Sequence, residues 1–290
     1  MKSAQERFLE QLPVESISAR VAEQSGHDRN EISALMNTFS NESRITLDLV
    51  IDKLDPEKRM LEVGAGLCLL SLFLTQQGFR IVALEPALGG FGLFERLKAA
   101  ILSELSHIDL TVLDKPAQNL NAKEDGPFDL IFSNNVIEHI PDWHDAMESM
   151  VEVLKPSGLM IHACPNYSIP YEPHYGVPVF RHFPSFSRKL FLPSGSDPEI
   201  WDSLNFITCN EIRNYCNKNN LSYLFRKELL FNAIKRIDED TAFRERHKGL
   251  VATVASLIIR SGMGALIKRI PPALSTPLIV EIRKSQTGAK

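Results

Sequence analysis

Glu62-Val63-Gly64-Ala65-Gly66, followed nineteen residues later by Leu84-Glu85-Pro86, holds the residues of this chain best suited to chemistry. Two glycines in a tight turn let a ligand approach the backbone closely. A carboxylate at Glu85 can accept hydrogen bonds from both hydroxyls of a ribose. Apolar Arg59–Val63 and Arg80–Glu85 read as buried strands flanking a helix. That is a parallel βαβ unit with a nucleoside-type ligand at its glycine turn.

Which nucleoside cofactor fits is decided by size and charge. A dinucleotide turn needs a third glycine at position 69, where the chain has Leu69, a side chain that would crowd a pyrophosphate. Cys68 is small enough to let a helix start close to a ligand. Glu62 is unhelpful beside a pyrophosphate but useful beside a cation, so the site favours the sulfonium and ammonium of S-adenosylmethionine over NAD.

The elements that position these residues follow from periodicity. Residues 1–55 read as an N-terminal helical cap, with Phe8, Leu9 and Leu12 on one apolar face and Ile32, Leu35, Met36 and Phe39 on another. Ser40-Asn41-Glu42-Ser43 predicts a new helix start, and Asp55-Pro56 the handover to the first strand. Residues 56–290 then alternate strands and helices: Arg59–Val63, Arg80–Glu85, Asp109–Val112, Phe128–Ser133, Leu159–Cys164 after a Pro156-Ser157-Gly158 turn, Leu221–Leu230 and Pro277–Ile282. Short runs rich in branched residues suit strands buried on both faces. The fold class is a doubly wound, mostly parallel α/β sheet.

Two inserts interrupt that rhythm. Residues 165–207 carry prolines, aromatics and histidines without a period and leave the C-terminal end of the fifth strand, where open α/β sheets place ligands. This stretch reads as a substrate lid. Glu172 and His174, two apart, share one side of an extended segment and are candidate bases. Tyr167, Tyr171 and Tyr175 are candidate substrate contacts. The second insert, 231–275, contains apolar residues at helical spacing with Arg244, Arg246, Lys248, Arg260, Lys268 and Arg269. Its 244–271 stretch reads as a helix packed on the domain or a second copy in a homodimer. The alternative is a peripheral helix on an anionic membrane.

Composition narrows the classes further. The 290 residues carry a net charge of −4 and 44% hydrophobic residues, and the pI is near 6.1, which leaves no basic footprint for nucleic acid. No apolar run spans the ~18 to 20 residues that cross a bilayer. The start, Met1 to Arg7, reads as a charged helix, not a secretory signal. Cys68, Cys164, Cys209 and Cys216 lack paired spacing and read as reduced thiols of a cytoplasmic protein, with a location at the inner face of a membrane as the alternative. Neither the cysteines nor Glu172, His174 and His182 make a metal set, so no metal is expected.

With these parts in place the chain resembles the class I S-adenosylmethionine-dependent methyltransferases. Leu61–Gly66, Leu84-Glu85-Pro86, Phe128–Ile140 and Val153–Leu159 carry the resemblance, which covers roughly residues 57–165. It implies a seven-stranded Rossmann-like sheet whose last strand is antiparallel. By the resemblance, Glu62, Gly64, Ala65 and Gly66 line the methionine part of the cofactor and Glu85 binds the ribose. Pro86 or Ala87 packs on the adenine, Ala117 and Gln118 offer backbone N–H groups to it, and Asn134 and Asn135 close on the methionyl end. Glu138-His139 matches a pair common in the family, which makes His139 a further catalytic candidate. Two departures stand out. Cys68 replaces the last glycine, and Asp114 lies three residues before Ala117, in place of an acid-Ala-acid run.

The reaction implied is in-line displacement of a methyl group by an oxygen of a small molecule, sugar or lipid-linked intermediate, with nitrogen or carbon as alternatives. A hydroxyl acceptor needs a base. Ser133-Asn134-Asn135-Val136 differs from the Asn/Asp-Pro-Pro-aromatic text of base-methylating enzymes, which argues against nucleic acid. A catalytically inactive cofactor-binding partner protein is the reading from a different class.

Overall fold

The computed structural model describes residues 1–86, 92–196, 198–229 and 264–285, with scattered positions between 231 and 261. Its seven-stranded sheet has the order β3-β2-β1-β4-β5-β9-β8. The strands are β1 (Arg59–Val63), β2 (Arg80–Leu84), β3 (Thr111–Leu113), β4 (Phe128–Asn134), β5 (Leu154–Cys164), β8 (Leu221–Phe225) and β9 (Leu278–Lys284). β1 pairs in parallel with β2 and β4, β2 in parallel with β3, and β9 antiparallel with β8. This is the expected doubly wound sheet, and β1 and β2 are buried along nearly their whole length, as strands covered on both faces are.

The chain divides into two compact units, one of Met1–Val136 with Asp142–Ile161, the other of Ile137–Pro141 with the described residues from His162 on. In the first, α1 (Lys2–Glu10), α2 (Val14–Ser25) and α3 (Arg29–Val50) precede β1, and α4 (Leu69–Gln76), α5 (Gly92–Glu104) and α6 (Trp143–Val153) lie between later strands. Asp28 caps α3 by accepting N–H bonds from Asn30 at 2.8 Å and Glu31 at 3.3 Å. Phe8 of α1 meets Phe73 of α4 with ring centroids 5.7 Å apart, so the N-terminal helices join this unit's core.

Ser40–Ser43 does not start a new helix, because α3 runs unbroken from Arg29 to Val50. Its buried positions Ile32, Met36, Ser43, Leu47 and Val50 keep helical spacing through the polar stretch. Ser43 stays helical because the Gln5 side chain donates to its carbonyl at 3.0 Å and its hydroxyl at 2.9 Å. Pro156-Ser157-Gly158 belongs to β5 and is not a turn before it. β3 begins two residues later than expected, and β8 ends at Phe225.

The second unit gives the 165–207 insert regular structure that periodicity does not reveal. β6 (Tyr171–Glu172) and β7 (Val177–Pro178) form a small antiparallel hairpin, followed by α7 (Pro184–Phe191) and α8 (Glu199–Ser203). Tyr167, Val177, Val179, Trp201, Leu204 and Phe206 give it an apolar core of its own. Next, α9 (Cys209–Lys218) starts with a capping box between Thr208 and Glu211. Half of the basic apolar stretch 244–271, including Arg244, Arg246, Lys248 and Gly262, lies outside the described residues. Among the described residues no helix is long and apolar enough to cross a membrane.

Candidate functional site

The glycine turn that follows β1 in the first unit is tied to the end of β2. Gly64 and Ala65 donate to the carbonyl of Leu84, at 2.8 and 3.2 Å, at the end of β2. The Gly66 N–H donates to Glu85 Oε2 at 2.7 Å. Both glycines take positive φ, +68° at Gly64 and +57° at Gly66. A Cβ on Gly64 would sit 2.3 Å from Val136, and one on Gly66 2.8 Å from Phe39. Only glycine fits either position. Cys68 takes φ +59° at the N-cap of α4, so the residue standing where the family has glycine adopts a glycine conformation.

Two acids converge here. Glu62 is 6% exposed, and Ser71 of α4 donates to its Oε2 at 2.5 Å. Burial pushes the Glu62 carboxyl up to about 8, against the Ser71 hydrogen bond, and the nearby Glu85 charge adds to the rise. Burial likewise raises Glu85 to about 7, opposed by the Gly66 hydrogen bond and by Lys98. Two carboxyls with raised pKa values in one place form a site that gains from a bound cation.

Three side chains at this site escape a reading by local pattern. Lys98 of α5 is buried and donates to the Glu85 carbonyl at 3.2 Å. Glu42 of α3 accepts from Asn134 at 2.9 Å and from Asn135 at 3.2 Å. Phe39, one turn before Glu42, lies over Gly66 and packs on Phe94, ring centroids 5.3 Å apart. Asn135 holds φ +54°, a left-handed conformation that asparagine tolerates, at the end of β4. Ala117 and Gln118 form a 3₁₀ turn whose Gln118 carbonyl accepts from Ser149 of α6 at 2.9 Å. Pro86 is half-buried beside Glu85, and Ala87 lies outside the described residues.

A second group of polar side chains belongs to the other unit. Asn205 grips the 3₁₀ turn Ile137–His139: its side chain donates to the carbonyls of Ile137 at 2.7 Å and Ile140 at 2.8 Å, and its N–H to Glu138 at 2.8 Å. Glu138 is fully buried. His139 Nδ1 lies 2.7 Å from the Ser203 hydroxyl, which donates its only hydrogen to the Ile200 carbonyl at 2.7 Å. The imidazole Nδ1–H is therefore the donor, and Nε2 of His139 carries the lone pair. Burial lowers the His139 pKa to about 4, helped by the His174 charge and opposed by Glu172.

Glu172 is enclosed by donors. One oxygen accepts from His174 Nδ1 at 2.5 Å, the His174 N–H at 3.1 Å and the Tyr167 hydroxyl at 3.3 Å; the other accepts the Tyr175 N–H at 2.8 Å. Burial alone would raise this carboxyl, but His174 and the two backbone N–H groups outweigh it and hold it below the usual range. Glu172 and His174, expected on one side of an extended segment as candidate bases, lie in hydrogen-bond contact with each other. Tyr167 is 2% exposed and packs on Phe206, its hydroxyl spent on Glu172. Tyr175 accepts from the Trp201 N–H at 3.3 Å, and Tyr171 is half-buried on the hairpin. His139 and His174 rings meet edge-on with centroids 5.2 Å apart. Ligand-capable atoms of Glu138, His139 and His174 lie within 4.8 Å of one another, a grouping that includes neither Glu172 nor His182.

Comparison with known proteins gives the family. The family model described as a methyltransferase domain matches residues 29–224, more than half of the chain. An uncharacterized protein of Mycobacterium tuberculosis (strain ATCC 25618 / H37Rv) is 31% identical over 236 residues, 78% of each chain. The ubiquinone biosynthesis O-methyltransferase of Rhodopseudomonas palustris (strain TIE-1) is 23% identical over 184 residues, 61% of this chain and 63% of that one. The solved Haemonchus contortus phosphoethanolamine N-methyltransferase 2, in complex with S-adenosyl-L-methionine, shares the fold at TM-score 0.50 and 14% identity. That match covers 85% of this chain and 53% of the other. The chain belongs to the methyltransferase-domain family and is a class I S-adenosylmethionine-dependent methyltransferase.

Proposed function

We propose that this enzyme methylates an oxygen of a small-molecule acceptor. The observation that carries this reading is the pair His139 and His174, each with Nδ1 engaged by a partner and both grouped with buried Glu138 within 4.8 Å. A neutral hydroxyl is a poor nucleophile at pH 7 until something takes or weakens its hold on the proton. An alkylammonium must shed a proton too, but its pKa of about 10 makes that easier than for an alcohol. The O-methyltransferase relative at 23% identity supports the same choice.

The residues of the first unit fit S-adenosylmethionine. Glu62 and Glu85 supply negative charge for its cationic groups, and Gly64, Ala65 and Gly66 keep side chains out of its way. Glu85 would take the ribose hydroxyls, with Pro86 and the backbone of Ala117 and Gln118 on the adenine. Asn134 and Asn135 would take the methionyl end, held at present by Glu42. When bound, the cofactor supplies an electrophilic methyl carbon on its sulfonium. The protein's own task is to hold the acceptor in line and keep its oxygen deprotonated or polarised. Glu172, Ser203 and Asn205 act as positioning residues behind the histidines.

Among acceptors, the surface of α7 favours one with an apolar tail. Phe183, Phe186 and Leu190 follow helical spacing and are 68%, 58% and 58% exposed. Such a stripe suits a lipid-linked acceptor better than a free sugar. The test is a screen with methyl-labelled cofactor against phenolic quinone precursors, lipid extracts and sugar nucleotides. Label on oxygen of a phenolic or lipid-linked product supports the proposal; label only on nitrogen or carbon refutes it.

A further inference from the structure

Glu138, His139 and His174 come from segments thirty-five residues apart, yet atoms able to ligate a metal lie within 4.8 Å of one another. The identity of those atoms follows from the surrounding hydrogen bonds. Ser203 uses its hydrogen on Ile200, so His139 must donate from Nδ1. Glu172 is an acceptor, and His174 Nδ1 lies against it at 2.5 Å. Each ring thereby has Nδ1 engaged, and Nε2 is the nitrogen with which it would ligate a metal once deprotonated. Two imidazole nitrogens and a buried carboxylate within that distance are three potential ligand atoms, which a metal ion would hold together in exchange for their protons. A hydrogen bond from each Nδ1 to a carboxylate or hydroxyl is also how proteins orient metal-binding histidines.

We propose that Glu138, His139 and His174 bind one divalent first-row transition ion of the zinc or cobalt type. Imidazole with carboxylate suits such an ion, whereas magnesium and calcium prefer oxygen alone. Bonds of about 2.0 to 2.2 Å would draw the three atoms about 1 Å closer together. His174 sits on a hairpin and can make that move. Three protein ligands leave a coordination position open, and its occupant would be the acceptor oxygen. That last role rests on the O-methylation reading; the ion site does not.

Titration of metal-free protein with Co²⁺, followed by visible d–d absorption and displaced by Zn²⁺, tests the site without any acceptor. We expect one ion per chain, loss of the absorption in His174→Ala, and binding weakened about 10- to 100-fold in Glu172→Gln, which keeps every ligand and loses only the orienting charge. Circular dichroism and thermal melts verify the fold of each variant, and S-adenosylmethionine binding reports on the first unit alone. Absence of Co²⁺ bands in protein that binds the cofactor, or equal bands in folded His174→Ala, overturns the proposal while leaving the methyl-transfer reading standing. Full ion binding with methyl label only on nitrogen or carbon would overturn the acceptor role and keep the ion.

Discussion

The Gly66 N–H donates to Glu85 Oε2 at 2.7 Å, joining the glycine turn after β1 to the acid after β2. One carboxylate oxygen thus holds the turn in shape, and on the proposed placement the other would accept from the ribose diol. The hydrogen bond also holds the Glu85 pKa below the value to which burial alone would drive it. Turn and acid are one unit, so disturbing either should disturb cofactor binding.

Gly64→Ala should lose cofactor affinity by at least tenfold and lower the melting temperature. Its Cβ would meet Val136 at 2.3 Å, and φ is +68°. The left-handed conformation alone costs about 1 to 2 kcal/mol for a residue with a Cβ. Trimming Val136 to alanine in the double variant should recover part of the loss, because space is relieved but backbone strain is not. Calorimetric titration and thermal melts measure both effects.

Cofactor affinity should rise with pH. Glu62 and Glu85 titrate at about 8 and about 7 in the free protein, above the ordinary carboxylate value of 4.5. A cation favours their charged forms, so binding releases protons and strengthens as pH climbs from below 7 to above 8. The same shifts act oppositely on the free protein. The unfolded chain holds fewer protons between pH 4.5 and 8, so stability is greatest below that window and falls as pH rises through it. Melts of free protein across this range should show that decline, with a shallower decline in Glu62→Gln.

Much of the first group was legible because its residues are local. The strand, turn, helix and acid of Glu62–Glu85 follow one another along a single βαβ stretch of sequence, and each element has a short-range pattern. Glu42, Phe39 and Lys98 were not legible, since their roles depend on where α3 and α5 come to lie. The false helix start at Ser40–Ser43 shows the same limit: Gln5, far away in sequence, satisfies Ser43 and removes the reason to break the helix. In the insert, Glu172 with His174 could be read from an i, i+2 spacing. The partnership of His174 with Glu138 and His139 could not, because only the fold of the insert brings them together.

Asn205→Ala should reduce kcat while leaving S-adenosylmethionine affinity within twofold. Its side chain holds the carbonyls of Ile137 and Ile140, the backbone that carries Glu138 and His139. Leaving such acceptors unmet costs about 1 to 3 kcal/mol. Cofactor titration with steady-state rates separates the two effects. A large loss of cofactor affinity would show that Asn205 acts more broadly than on this turn.

The exposed stripe of α7 should carry the protein to lipid. Wild-type protein is expected to sediment with vesicles rich in anionic phospholipid, and Phe183→Ser with Phe186→Ser should stay in solution with unchanged cofactor affinity. Equal sedimentation of both proteins would remove the support for an apolar acceptor.

The most direct measurement is calorimetric titration of S-adenosylmethionine and of NAD into the wild type and into Glu85→Ala. We expect one S-adenosylmethionine per chain and no NAD. Glu85→Ala should weaken cofactor binding by about 1.5 to 3 kcal/mol, the scale of a hydrogen bond to a charged group, or about 10- to 150-fold. Undiminished binding in Glu85→Ala, or binding of NAD in place of S-adenosylmethionine, would contradict the placement of the cofactor at Gly66 and Glu85.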